Sequence, residues 1–478
     1  METASYLIRK SIWNLTFTLV LFSGGKGYSQ SDDQRPNILF ILTDDMGYTD
    51  LPAYGNPFQE APNLDFLAKN GLKFTDAYSS SPVCSPSRAG FITGIHSTRY
   101  HLTNFIAGNR KADTVAIDPA KWNPFLAGNQ VTVAELFKEK GYQTAMIGKW
   151  HLGNAEDQTP WSQGFDFSRM IGKNGLDYYN YSIFEDSYKN VFLDSGKHYL
   201  TDQLTGYALD FLEKRPNEKP FFLFLSYSAP HVFIVPRGDK VSKYLRKYEQ
   251  FEGKYNPYYA AMIESVDDGI GLILEKLKFQ GLDKNTLIVF TSDNGGVGLP
   301  ELGPIPADLD PLRKWKGHPY EGGIRVPLLA YWPEKIKPGV TSFATTNLDF
   351  APTFAEIAGL APQNAWDGQS LTSVLFGNRS ASREGAMYWH YPHFSNQLGK
   401  PAAAVRQGVW KLILHYENQA TELYNLDEDI SESMDLKAKH PEKAKELYEL
   451  LYRWLNDTEA NLPIDKKTGQ PLVLEPSL

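Results

Sequence analysis

A single cysteine, Cys84, stands in 478 residues. That excludes an intramolecular disulfide and any zinc site built on several thiolates. A lone thiol is structural, reactive or modified, and burial as an inert side chain is the commonest state of a free cysteine. Positive charge is not in excess either. Lys and Arg total 48 against 56 Asp and Glu, a formal charge of −8. This excludes a nucleic-acid binder working through a broad basic surface, while leaving room for a local cationic pocket. Beyond residue 22 no apolar run approaches the roughly 20 residues of a membrane span. Global disorder is excluded by 42% apolar against 22% charged residues. Aromatic residues make up 13% and suit a large core as well as a sugar-handling surface.

The N-terminus has the pattern of a secretory leader. Arg9 and Lys10 precede an apolar run, Ser11 to Phe22, and small residues follow to Ser29. The reading is a signal peptide over residues 1–29 and an exported protein, periplasmic or secreted. From Arg35 onward, short apolar runs alternate with amphipathic helical stretches. Buried strands are expected at Asn37–Thr43, Thr144–Ile147, Phe221–Ser228 and Thr286–Ser292. Helices are expected at Val131–Lys140 (with Thr132 as cap), Thr201–Lys214, Tyr258–Leu277 and Pro441–Leu455. Strands apolar throughout and alternating with helices predict an α/β fold, a mostly parallel sheet sandwiched by helices. Loosened spacing near residues 360–378 divides it into a main domain, 30–370, and a smaller α+β subdomain, 371–478. The subdomain carries a small antiparallel sheet (Ala402–Arg406, Trp410–His415) and a closing helix. Residues 468–478 read as a tail.

Polar residues follow each buried strand. Asp44-Asp45 follow the first, Lys149-Trp150-His151 the second, His231 the third, and Asp293-Asn294-Gly295 the fourth. In an open α/β sheet, ligands bind at the carboxyl ends of the strands. An Asp after a strand is ordinarily a turn or cap residue, but four such coincidences at one rim argue for a site. Asp44, Asp45, Asp293 and Asn294 offer only oxygen, which suits Ca²⁺ or Mg²⁺ rather than zinc. Adjacent carboxylates repel unless a cation lies between them. The lysine and histidines suit an anion held against that cation.

The segment around the cysteine reads Cys84-Ser85-Pro86-Ser87-Arg88, with Thr93-Gly94 beyond. It resembles the signature of the type I sulfatases of the alkaline phosphatase superfamily, whose cysteine a separate enzyme converts to formylglycine. Further segments resemble that family in its order: Asp44-Asp45-Met46-Gly47, Ala61-Pro62-Asn63-Leu64-Asp65, Gly148-Lys149-Trp150-His151-Leu152-Gly153, Asp293-Asn294-Gly295, and Lys316-Gly317 with Glu321-Gly322-Gly323-Ile324-Arg325-Val326-Pro327. The resemblance runs from about Pro36 to Trp454. It implies an alkaline-phosphatase-like fold and a calcium ion (Mg²⁺ being the alternative) on Asp44, Asp45, Asp293, Asn294 and residue 84. It also implies a maturating enzyme as partner, either the formylglycine-generating kind or the anaerobic kind. The hydrated aldehyde at position 84 would attack sulfur, and collapse back to the aldehyde would expel sulfate. The resemblance further implies that Arg88 orients the diol, Lys149 and Lys316 neutralise sulfate oxygens, His151 assists collapse as base, and His231 protonates the leaving alcohol. Of Lys314 and Lys316, the Lys-Gly match selects Lys316. Arg325 is expected in an ion pair with Glu321.

The family motifs do not define the pocket for the alcohol. Arg110, Lys173, His318, His390 and His393 are candidate sugar contacts, although the aromatic run Tyr388–His393 equally suits a subdomain interface. Exported one-cysteine sulfatases of this style resemble bacterial enzymes acting on sulfated polysaccharides, such as algal galactans, ulvans or glycosaminoglycans. Two other readings stand beside this one. A phosphodiesterase or phosphonate hydrolase of the same superfamily is the nearer, and two lysines with two histidines favour a monoanionic sulfate ester over it. The other is a non-catalytic protein binding sulfated glycans, which the complete motif set disfavours. No nucleic-acid partner and no membrane span in the mature chain are expected.

Overall fold

A computed structural model describes residues 35–108, 116–172, 177–194, 196–299 and 305–478. The leader-like N-terminus, Arg110 and Lys173 lie outside the described residues. All seven residues of Asn37–Thr43 are buried. Ile38, Phe40 and Leu42 enter one core and Leu39 and Ile41 the other, because successive side chains on a strand point to opposite faces. Both faces are covered, which is why the strand is apolar throughout.

Among the described residues this strand belongs to a ten-stranded sheet. It pairs in parallel with Thr286–Ser292 on one side and Phe221–Ser226 on the other. Gln143–Gly148 and then Phe167–Ile171 extend the parallel block. Leu328–Tyr331, Ser182–Glu185 and Val191–Leu193 add antiparallel pairings towards the edges. The long helix Pro257–Phe279 and the helix Leu200–Lys214 cover one face. Helices Cys84–Thr93, Val133–Glu139 and Phe350–Ile357 cover the other. The Val133–Glu139 helix starts where its sequence says: Thr132 Oγ1 accepts from Glu135 N at 3.2 Å, and Thr132 N donates to Glu135 Oε2 at 2.7 Å. No helix among the described residues is long and apolar enough to cross a membrane.

A second sheet, of four antiparallel strands, runs in the order Met387–Tyr391, Ala402–Gln407, Trp410–His415 and Thr421–Asn425. One face packs Val405, Leu412 and Leu414 against Leu447, Leu451 and Leu455 of the helix Pro441–Asp457. The opposite face sets Trp389, Ala404 and Ile413 against Tyr78, Tyr320 and Ile324 of the main sheet's surroundings. Leu371, Val374 and Leu375 pack into the main core, and the first strand of the small sheet is Met387–Tyr391. One expectation is corrected here: 468–478 is not a free tail. Leu472 N donates to Pro463 O at 2.8 Å, and Leu474 is buried in the core of the small sheet.

The two sheets are also joined by buried charge. Lys411, fully buried, lies 2.8 Å from Glu321 and 2.8 Å from Glu432. Arg325 holds the other oxygen of Glu321 at 2.7 Å, the ion pair expected from sequence, and reaches Asp76 at 3.1 Å. Arg406 closes the group at 2.6 Å from Asp76. Removing one partner of such a group leaves an uncompensated buried charge, which costs about 3–5 kcal/mol. Lys411→Met is expected to lose that much in urea unfolding, and adding Glu432→Gln is expected to recover part of it. A Lys411→Met midpoint equal to wild type would refute the accounting.

Candidate active site

The four strands Asn37–Thr43, Gln143–Gly148, Phe221–Ser226 and Thr286–Ser292 deliver their following residues to one rim. Asp44 and Asp45 leave Asn37–Thr43, and Asp45 adopts φ 67°, the left-handed region that side chains rarely occupy. Gly148 ends its strand at φ +111°, where a Cβ would lie 1.8 Å from Ser226 O. Only glycine fits there, and the close approach lets Lys149 N donate to Ser226 O at 2.9 Å. Gly317, at φ +84°, donates its N–H to Pro82 O at 2.8 Å, which ties Lys316 to the segment entering the cysteine helix. Cys84 occupies the first turn of Cys84–Thr93, a helix buried along its whole length.

The side chains converge at short range. Ligating atoms of Asp44, Asp45, Cys84 and His231 lie within 4.8 Å of one another. Lys149 Nζ is 2.5 Å from Asp44, and Lys316 Nζ is 2.6 Å from Asp45 and 3.2 Å from Cys84 Sγ. Arg88 donates from Nε to Asp293 at 2.9 Å and from Nη1 to Ser226 Oγ and Lys149 O at 2.7 and 2.8 Å. His231 Nε2 stands 3.5 Å from Asp45. His151 Nε2 donates to Ile106 O at 3.3 Å, leaving its buried Nδ1 without a partner. Asn294 donates to Asp45 at 2.7 Å, while its Oδ1 is buried and unpartnered.

Burial sets the protonation states and the neighbours correct them. Burial would raise Asp44, but Lys149, His231, Arg88 and Lys316 together hold it well below the usual carboxylate range. Burial, with the charge of Asp44 next, pushes Asp293 up to about 7. Burial pushes the Cys84 thiol up to about 12 in spite of the two lysines. Burial, with Lys149 and Arg88, holds His151 well below the usual imidazole range, so it is neutral at pH 7.

The residues present fit a hard divalent cation. Asp44, Asp45, Asp293 and Asn294 are fully buried, they offer oxygen, and one of those oxygens has no partner. The mutual repulsion that raises Asp293 is what such a cation would relieve.

The structure brings together Asp44, Asp45, Cys84, Arg88, Lys149, His151, His231, Asp293, Asn294 and Lys316. Three sugar-contact expectations need correction. His390 is 2% exposed, with Nδ1 accepting from Tyr416 Oη at 2.8 Å and Nε2 donating to Asn461 O at 3.1 Å. His393 is 1% exposed and pairs with Thr103 Oγ1 at 2.8 Å. His318 is buried and donates from Nδ1 to the carbonyl of Trp315 in its own turn. All three are buried among protein groups: His390 within the C-terminal part, His318 within its own turn, and His393 against Thr103 of the main body. Two residues with no motif around them also serve the site. Ser226 holds Arg88, and Tyr178 Oη donates to the carbonyls of Ser228 and His231, both at 2.9 Å.

A mostly parallel α/β sheet with a buried oxygen-donor site at its strand ends, facing lysines and histidines, is the arrangement of the alkaline-phosphatase-like fold. The sulfatase family model matches residues 36–360, and that for the C-terminal part of N-sulphoglucosamine sulphohydrolase matches residues 315–461. The chain belongs to the sulfatase family and is a sulfuric ester hydrolase. It is 30% identical over 480 residues to a sulfatase of Formosa agariphila, covering 86% of each chain. It is 34% identical over 371 residues to N-acetylgalactosamine-6-sulfatase of Homo sapiens, covering 73% of this chain and 67% of that protein. The crystal structure of Ps i-CgsB superposes with a TM-score of 0.75 at 28% identity, covering 92% of this chain and 95% of that one. The structure of BT4656 with its substrate D-glucosamine-2-N,6-O-disulfate gives 0.70 at 26%, covering 89% and 98%.

Arg88 is the close counter-charge of Asp293 at 2.8 Å and stands 3.6 Å from Asp44, which Lys149 also meets. Arg88→Met is expected to lose about 3–5 kcal/mol of stability in cation-free buffer. Chemical denaturation measures it, and a loss below about 1 kcal/mol would contradict that role.

Proposed function

We propose that this enzyme removes sulfate from a sulfated carbohydrate, with residue 84 as formylglycine and a calcium ion on Asp44, Asp45, Asp293 and Asn294. The observation carrying this reading is the seat of Cys84, between Lys316 Nζ at 3.2 Å and Asp44 Oδ1 at 3.6 Å, at the head of a buried helix. A thiol held up to about 12 is protonated at neutral pH and a poor nucleophile, so the native cysteine suits this position badly. Relatives support the substrate class: Ps i-CgsB has been solved with a neocarrahexaose, and BT4656 with a disulfated glucosamine. The leader-like N-terminus supports export.

Bound calcium would supply positive charge that favours ionisation of a hydroxyl at position 84 and offsets charge on a sulfate oxygen. The chain's own residues do the rest. Lys149 and Lys316 set two ammonium groups where the sulfate oxygens gather charge, inside a water-poor pocket that strengthens them. Arg88, locked by Asp293, Ser226 and the Lys149 carbonyl, holds Asp293 and the strand ends in place. His231 gives a proton to the departing alcohol oxygen. His151, neutral and with a free Nδ1, takes the proton released when sulfate leaves residue 84.

The test begins with the mass of the peptide holding residue 84, from protein made in a host with the maturating enzyme. Formylglycine lowers it by about 18 Da. Sulfate release from a panel of sulfated mono- and disaccharides follows, before and after chelation. Activity lost to chelator and regained with Ca²⁺ is expected, and an unshifted peptide mass in an active enzyme would refute the nucleophile.

Cys84→Ala is expected to abolish turnover with an unchanged circular dichroism spectrum, the side chain being small. His231→Ala is expected to slow sugar sulfates by about 10²–10⁴-fold and aryl sulfates, whose leaving groups need no acid, far less. Equal losses for the two would remove His231 from the role of acid.

A further inference from the structure

The route out of the sulfate pocket is narrow. Side-chain exposure is nil for Asp44, Asp45 and Asp293 and 6% for Lys316, but 14% for Lys149 and for His231. Lys149 and His231 are therefore the most exposed of these groups. A cavity of about 670 Å³ reaches the site on the Lys149 side, where Lys149, His151 and Ser228 line it. Its volume is that of a site for a small organic molecule.

The outer wall comes from the sheet's antiparallel edge, with Met170 on Phe167–Ile171, Phe184 on Ser182–Glu185, and Tyr188 just beyond. Phe184 and Tyr188 are both half-buried and meet edge to face, ring centroids 4.9 Å apart at 87°. Tyr188 is fixed from behind by Trp161 at 5.0 Å and by its hydroxyl, which donates to Asn154 O at 2.7 Å. The rings are thus set as a rigid corner with one side open to the cavity. An ordinary core pair would be closed on all sides. A rigid aromatic corner beside a polar end matches a ring with an apolar C–H face and hydroxyls on its rim.

We propose that this cavity seats the sugar unit bearing the ester, a pyranose lying against Phe184 and Tyr188 with its ester oxygen towards Lys149. The proposal rests on the carbohydrate-sulfatase reading and adds the place and the residues that select the sugar. Phe184 and Tyr188 touch substrate carbon and none of the reacting atoms, so they act on binding of the alcohol part. Inorganic sulfate, the other product, stays in the sulfate pocket and does not reach them.

The test uses the matured enzyme, its residue 84 verified by mass, with Phe184→Ala, Tyr188→Ala and Tyr188→Phe. The probes are methyl galactopyranosides and methyl N-acetylglucosaminides, each monosulfated at one hydroxyl in turn, and inorganic sulfate as a competitive inhibitor. For the best pyranoside, KM is expected to rise at least about tenfold in both alanine variants, the effect of losing one stacked ring. The turnover number is expected to change less than about threefold. The inhibition constant of sulfate should stay at its wild-type value, and Tyr188→Phe, which keeps the ring, should keep a wild-type KM. An alanine variant that had merely loosened the fold would weaken sulfate as well, and a parallel rise in both constants overturns the proposal. Unchanged KM in both alanine variants, with the wild type active, places the sugar elsewhere and overturns it too. A matured wild type that releases sulfate from no pyranoside but from 4-nitrophenyl sulfate overturns the carbohydrate reading itself, and the seat with it.

Discussion

Three carboxylates, those of Asp44, Asp45 and Asp293, are kept wholly out of water at one end of a sheet. Unpaired, they would cost more than the fold could tolerate, so cations must meet them. Arg88 comes from the helix on one face, Lys149 from the end of a strand two places along the sheet from Asn37–Thr43, and Lys316 from a loop more than two hundred residues beyond Cys84 in sequence. That need for neutralisation draws distant parts of the chain to one point. It also makes the site receptive, because the lysines that balance aspartate now are the groups that can face an anion when a divalent cation takes their place.

The parallel block was legible because its cause is local. NILFILT, FFLFLS and TLIVFTS are apolar at every position, and a strand covered on both faces needs that. The polar residues directly after those strands were legible for the same reason, since a strand end fixes where its next residues go. The two ring-rich histidines, His390 and His393, were not. A flat ring with two nitrogens serves a buried hydrogen-bond network as well as a sugar, and only the contacts to Tyr416, Asn461 and Thr103 decide between them. Tyr178 and Ser226 had no signal at all. One sits in a loop and the other at the end of an apolar run, and their work depends on what the fold sets beside them. The tail misread as free shows the same limit, because Leu474 is held by a core formed elsewhere in the chain.

The small sheet repeats the principle of the active site at a second place. Glu321, Glu432 and Asp76 are matched by Lys411, Arg325 and Arg406, again from distant segments. Burial pushes Glu432 up to about 7, and the charges of Lys411, Arg325 and Arg406 hold Glu321 well below the usual range. One of the two carboxylates thus carries the charge that balances the lysine, and the other is nearer to neutral. The segment from Lys316 to Arg325 belongs to both groups, so the wall of the active site and the seam between the sheets are one piece of chain.

That shared piece has a consequence for the order in which the molecule is made. As the chain emerges from N- to C-terminus, Asp44, Cys84, Lys149 and Asp293 are all present before Lys316. Glu321 then waits for Lys411, which is synthesised later still. Until that lysine arrives, Glu321 has only Arg325 of its two cations. The buried charge that joins the two sheets is therefore completed only after the strand Trp410–His415 has been made.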